Sequence, residues 1–267
     1  SALIIDDATG DVLYSQHSDR SMTPASTLKL LTAVGVLSEL GLENRFTTSV
    51  VQDGQTLTLV GGGDPTLVSQ TPANWRGKPP GVERPPSLDQ LADLVAQKIV
   101  GTPGPFTINV DSSYFASEAK QESWPASFIG QGYLASALSA RGITSSLGEK
   151  AVASTTAISI AQVQSARLVD IVERMVTTSN NTMAEYLAHQ VGKKNGDDSF
   201  AGSAKIISQR ISQEGIDTTG MELHDGSGLS GSNKVTPRTI VDAIRIAHTA
   251  NSVSWPLISG LPIAGVS

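Results

Sequence analysis

Apolar positions recur at two spacings along this chain, and each change of spacing marks an element. Residues 2–5 and 11–15 are short strand-like runs around the turn-rich Asp7-Ala8-Thr9-Gly10, a pattern that predicts a hairpin. After Pro24-Ala25-Ser26 the period becomes helical. Leu28, Leu31, Val34, Val36, Leu37 and Leu40 lead to Gly41, the residue type that ends helices in a left-handed turn. This helix is apolar on nearly every side, so it should lie buried in the middle of its domain. Residues 47–52 and 55–60 flank Asp53-Gly54, a two-residue hairpin signal. Gly61-Gly62-Gly63-Asp64-Pro65 then opens a stretch rich in Pro and Gly that runs to Pro86. Ser87, with Gln90 three residues on, has the form of a capping box. The helix it opens carries Leu91, Leu94, Val95 and Ile99 up to Gly101, and a strand follows over 106–110.

From Ser165 the helical period returns through Leu168, Ile171, Val172, Met175 and Val176. It breaks at Thr177-Thr178-Ser179-Asn180-Asn181 and resumes through Met183, Ala184 and Leu187. Two more helices are predicted, one over 204–214 ahead of Gly215, the other from Pro237 with Thr236 as its cap. Strands mixed with long helices, without regular βαβ alternation, indicate an α+β domain interrupted by an insertion.

Composition narrows the chemistry. The chain of 267 residues has a net charge of -6 and no basic stripe, which argues against nucleic acid as a partner. No apolar run approaches the ~20 residues of a membrane-spanning helix. There is no cysteine, so disulfides, thiol catalysis and thiolate metal sites are all excluded. His17, His189, His224 and His248 are scattered without paired-ligand spacing, so neither a metal nor a cofactor is expected. Ser1 leads straight into Ala2-Leu3-Ile4-Ile5 with no charged n-region, so no targeting segment is expected among these residues.

The sharpest chemical feature is Ser26-Thr27-Leu28-Lys29 at the head of the apolar helix. Residues three apart on a helix share a face, so the Lys29 amine can reach the Ser26 hydroxyl. A serine is a weak nucleophile until a base takes its proton, and a lysine serves as that base when burial disfavours its charged form. Backbone N–H groups at the helix start suit an oxyanion. Taken alone, Ser26 could equally be an N-cap with a snorkelling lysine beside it. The same spacing recurs at Ser117-Glu118-Ala119-Lys120, but in a polar stretch that reads as solvated surface. A second element is Ser179-Asn180-Asn181, at the break between two helices. There a tight turn could face both flanking side chains inward. The Ser179 hydroxyl could then relay a proton while the Asn181 amide holds a peptide bond. An ordinary turn has the same composition.

Together these motifs resemble the S-x-x-K and S-x-N signatures of penicillin-binding proteins and serine β-lactamases. The likeness is greater to the class C low-molecular-mass penicillin-binding proteins, the D-alanyl-D-alanine peptidases of the S13 type. It is carried by Pro24-Ala25-Ser26-Thr27-Leu28-Lys29-Leu30-Leu31-Thr32, by Gly61-Gly62-Gly63-Asp64-Pro65-Thr66-Leu67, and by Asp225-Gly226-Ser227-Gly228-Leu229-Ser230 with Thr236-Pro237 after it. The resemblance implies a transpeptidase-like domain from residues 1–44 and 151–267, incomplete at its C-terminal side, with a shortened inserted domain over 45–150. A junction left by the shortening is expected around Gly132-Tyr133-Leu134-Ala135-Ser136. The family's K-T-G is absent. Lys234-Val235-Thr236 and Lys194-Asn195-Gly196 come nearest, and the strand carrying the true motif is expected beyond Ser267.

By the same resemblance Ser26 is the nucleophile and Lys29 its base. Ser179 passes the proton to the leaving amine, and Asn181 binds the substrate amide. The implied substrates are peptidoglycan stem peptides, cleaved by carboxypeptidase or endopeptidase action outside the cytoplasmic membrane of a bacterium, with β-lactams as acylating inhibitors. A serine β-lactamase shares the first motifs, but the insertion and the Gly61 to Leu67 segment set this chain apart from it. A non-catalytic peptidoglycan-binding relic would keep the fold without acylating. An α/β-hydrolase is the weakest of these rivals, since the glycines from Gly226 to Gly231 never spell G-x-S-x-G. No residue pattern specifies an oligomeric state.

Overall fold

The computed structural model describes residues 1–70, 84–115 and 125–263. The chain opens with the antiparallel hairpin of β1 (Ala2–Ile5) and β2 (Val12–Gln16), in which Leu3 faces Ser15. A short 3-10 turn (Ala25–Thr27) leads into α1 (Leu28–Leu40), and Gly41 stops the helix with a φ of 83°. The chain then leaves this first unit. β3 (Thr47–Asp53) and β4 (Thr56–Val60) form the anticipated hairpin, with Asp53 paired to Thr56 and the two-residue turn at Gly54-Gln55, one residue later than expected. α2 (Leu88–Lys98), β5 (Phe106–Asp111), α3 (Pro125–Ser139), β6 (Ser145–Lys150) and β7 (Ile158–Gln164) follow. Back in the first unit are α4 (Leu168–Thr178), α5 (Asn181–Lys194), α6 (Phe200–Gln213), α7 (Pro237–His248) and α8 (Pro256–Ser259).

The chain therefore divides into residues 1–44 with 168–267, and residues 45–167. The second boundary falls later than the expected 150. The reason is β7, whose residues 158–164 pair antiparallel with β3 and close the sheet of the inserted unit. That sheet has the order β6-β5-β4-β3-β7, with β4, β5 and β6 mutually parallel. Two βαβ crossovers, through α2 and α3, thus occur where no βαβ alternation was expected. The long Pro- and Gly-rich stretch hides the first crossover, and the polar sequence Ser145–Lys150 hides the strand that ends the second. Both helices bury one stripe against one face of the sheet. Leu88, Leu91, Val95, Leu134 and Leu138 share a core with Val50, Leu57, Leu59, Phe106 and Ile108. Residues 132–136 run through the interior of α3 without a break in the helix.

In the first unit α1 is the central element, touching α4, α5, α6, α7 and α8. Its Leu28, Leu31, Val34 and Val36 are fully buried, as its all-round apolar sequence requires. Gly35 lets α6 approach closely, because a Cβ there would lie 2.8 Å from Cγ2 of Ile207. At the far end of α1 the buried Glu39 pairs with Arg210 of α6 and, at 3.2 Å, with Lys194 of α5. The expected caps are present. Ser87 Oγ accepts from the Gln90 N–H at 3.1 Å, and Thr236 Oγ1 accepts from the Thr239 N–H at 3.1 Å.

Candidate active site

Ser26 lies in the turn that enters α1, and its side chain is exposed. Lys29, one turn on, is 2% exposed, buried beside Leu28 and Leu31. Its Nζ donates to Ser26 Oγ at 3.1 Å and to the Ser227 carbonyl at 2.8 Å. Burial pushes the Lys29 amine below its ordinary pKa, while the nearby Glu185 and Asp225 carboxylates oppose that shift. The site thus presents an accessible hydroxyl against a buried amine with a weakened hold on its proton, which is the arrangement an acyl-transfer nucleophile requires.

The backbone around the serine is held out of ordinary geometry. Ala25 has a φ of 49°, in the left-handed region that costs a non-glycine residue about 1–2 kcal/mol. Its carbonyl lies so close to Gly228 that a Cβ there would sit 1.9 Å from the oxygen. Gly228 itself has a φ of 86°. Only glycine fits at position 228.

Residues 225–233 form a loop organised from within. Asp225 Oδ1 accepts from Gly228 N–H at 2.9 Å and Asn233 Nδ2 at 2.8 Å, and Oδ2 accepts from Ser230 N–H at 2.6 Å. Asn233, fully buried, accepts in turn from the His224 N–H at 2.7 Å. Two sides anchor the loop. Thr32 of α1 donates to the Gly226 carbonyl at 2.6 Å, and Glu185 of α5 accepts from the Gly226 and Ser227 N–H groups at 3.0 and 2.8 Å.

Ser179 and Asn181 flank the α4–α5 turn, where Ser179 has a φ of 49°. Asn180, between them, caps α5 by accepting from the Met183 N–H at 2.9 Å. Its neighbours are left exposed, and among the described residues neither side chain bonds to Ser26 or Lys29. The turn is nevertheless tied to the nucleophile's surroundings. Glu185 lies in the second turn of the helix that starts at Asn181, and it holds the loop that Lys29 also touches.

Lys194 ends α5, with Asn195 as its C-cap and Gly196 at a φ of 83°, so Lys194-Asn195-Gly196 is a helix stop. Lys234 sits at the surface, 3.4 Å from Thr23 Oγ1, ahead of the Thr236 cap. Ser117 and Lys120 lie outside the described residues. Among the described residues no group of three or more His, Asp or Glu is placed to hold a metal ion. Sequence reasoning missed Glu185, Thr32 and Asn233. Glu185 did carry a signal, since an acid inside Met183-Ala184-Glu185-Tyr186-Leu187 is the same anomaly that singled out Lys29.

A helical unit with serine and lysine at the head of its central helix, split by a βαβ-containing insertion, has the penicillin-binding fold. Penicillin-binding protein 4 of Haemophilus influenzae, solved with a β-lactam, superposes with a TM-score of 0.72 at 18% identity, over 99% of this chain and 77% of its own. The family described as D-Ala-D-Ala carboxypeptidase 3 (S13) matches residues 1–144 and 129–267, and this chain belongs to it. The two matches overlap over 129–144, the region that includes Gly132 to Ser136. A carboxypeptidase of Mycobacterium tuberculosis is 32% identical over 99% of this chain. The carboxypeptidase DacB of Mycolicibacterium smegmatis is 31% identical over the same share. The chain spans 64% of the length of each of these two relatives.

Proposed function

We propose that this chain carries the acylation site of a serine D-alanyl-D-alanine peptidase acting on peptidoglycan stem peptides. The observation that supports it most directly is the 3.1 Å bond from the buried Lys29 amine to the exposed Ser26 hydroxyl, in a chain of the S13 family. Ser26 Oγ attacks the carbonyl carbon preceding the terminal D-alanine, and its proton passes to the neutral Lys29 amine. The oxygen of the tetrahedral intermediate is stabilised by N–H groups at the head of α1. The C–N bond then breaks, with the leaving nitrogen protonated through Ser179, and D-alanine departs. Asn181 holds the amide of the donor strand. Water, deprotonated by the same amine, releases the acyl group and returns the proton to Ser26.

A β-lactam follows the first step alone, since its ring nitrogen stays tethered to the acyl group after the C–N bond opens. Assembled peptidoglycan lies outside the cytoplasmic membrane, which supports a site of action there. Carboxypeptidase action on a free stem and endopeptidase action on a cross-link differ only in what the leaving amine carries, and the same residues serve both.

The test is release of D-alanine from a stem-peptide mimic by the full-length protein. Wild type releases it. Ser26→Ala does not, and Lys29→Met falls by about 10³-fold, within the range for loss of a general base. Turnover that survives Ser26→Ala would refute the assignment.

A further inference from the structure

We propose that Glu185 is a positioning residue for this reaction, fixing the Ser227 carbonyl that aims the Lys29 amine at Ser26. The inference rests on the reading of Ser26 and Lys29 as nucleophile and base. Its geometry is a clamp two residues wide. The N–H groups of Gly226 and Ser227 both point to α5, one onto each oxygen of the Glu185 carboxylate, at 3.0 and 2.8 Å. The carbonyls of the same two residues point to α1, where they accept from Thr32 Oγ1 at 2.6 Å and Lys29 Nζ at 2.8 Å. Gly226 lies flat on α5, since a Cβ there would be 2.7 Å from Ala188 Cβ and 2.8 Å from the Ala184 carbonyl. Glu185 thus reaches the amine through one peptide strip without touching it.

Why a carboxylate stands there follows from the donor count. Two converging N–H groups need two acceptors. A glutamine would meet one of them with its own NH₂ and leave a buried donor unsatisfied. Glu185 is 3% exposed, and a buried charge is costly unless it is compensated, as it is here by the two N–H groups.

The carboxylate has a second consequence. Glu185 from α5 and Asp225 from the loop are the charged groups that act on the Lys29 amine, both favouring its protonated form against burial. Among the described residues α4, α6, α7 and α8 bring no charge to it. Glu39, the acid of α1, sits at the far end of the helix with Arg210 and Lys194. Neutralising Glu185 therefore loosens the aim of the amine and lowers its pKa further.

The measurement is the second-order rate of acylation by a fluorescent penicillin across pH, for wild type, Glu185→Gln and Glu185→Asp, with melting curves for each. In Glu185→Gln the plateau rate should fall about 10- to 100-fold. Its acid limb should move down by roughly one pH unit, because the amine loses its proton more readily. Glu185→Asp keeps the charge and should lose rate with the acid limb unmoved. A folded Glu185→Gln with the wild-type rate and limb would overturn the proposal. So would a rate loss with the limb unmoved, which marks a merely structural role. If Glu185→Gln does not fold, Glu185→Asp decides, and a shifted limb there contradicts the proposal. Wild type that fails to label at Ser26 would instead overturn the acyl-transfer reading and this inference with it.

Discussion

A lysine amine among leucines has given up most of its hydration, and only specific partners make that tolerable. Lys29 was legible in the sequence for this reason: it interrupts a helix whose other residues near it are Leu28, Leu30 and Leu31. Ser26 was legible beside it. The Ser227 carbonyl that Lys29 bonds to and the Glu185 carboxylate behind that carbonyl were not, because both come from elements far away in the chain. Asp64 shows the opposite case, an acid noticed only as part of a glycine motif. Its Oδ1 accepts from the Thr66 N–H and hydroxyl at 2.7 and 2.6 Å, while Oδ2 is buried with no partner among the described residues. Burial, against the pull of the Thr66 bonds, pushes its pKa up to about 6.

A raised acid pKa binds its proton more tightly in the folded than in the unfolded state. The stability Asp64 contributes is therefore complete below the ordinary carboxylate pKa and lost as pH rises through about 6. Asp64→Asn removes this dependence. In urea titrations its stability relative to wild type should rise between pH 4 and pH 7 by about 2–3 kcal/mol at most. A difference that stays flat with pH would show that Asp64 is already solvated or paired.

At the scale of elements, what could be read were the devices written in contiguous residues. The Ser87 and Thr236 caps, the glycine stop at Gly41 and the hairpin signalled by Asp53-Gly54 are all of this kind, and all are present, the hairpin with its turn one residue later. What could not be read were elements defined by their neighbours. β6 is a polar edge strand, and β7 is recognised only by its pairing with β3. The loop of 225–233 belongs with these, because its shape comes from Asp225, Asn233 and Glu185 acting together. Gly228 joins that loop to the turn of the nucleophile. Gly228→Ala adds a Cβ against the Ala25 carbonyl at a φ that alanine disfavours. We expect it to cost about 1–3 kcal/mol in denaturant unfolding and to slow acylation at least about tenfold, through displacement of Ser26. A variant that melts and acylates like wild type would show that the loop and the turn are not coupled.

At the scale of the whole molecule, each unit closes on itself at the junction. Leu168 and Val169 donate N–H bonds to the Asn44 and Leu42 carbonyls at 2.8 and 3.1 Å, so the first unit resumes where it was interrupted. Within the second unit the Ser165 N–H donates to the Phe46 carbonyl at 2.8 Å and Ser165 Oγ accepts from the Phe46 N–H at 2.9 Å, while Arg45 Nη1 donates to the Ser165 carbonyl at 2.8 Å. An insertion could be inferred from the order of the motifs, but its second boundary at 167 required the pairing of β7. The catalytic reading spans all three scales. It needs a hydroxyl and an amine in contact, a helix that buries the amine, and a unit that brings the loop of 225–233 onto that helix.

The direct test of that reading is peptide mapping by mass spectrometry after exposure of the full-length protein to benzylpenicillin. The account predicts one penicilloyl adduct, carried on the peptide containing Ser26 and lost in Ser26→Ala. An adduct on any other residue, or none on a folded protein, would contradict it.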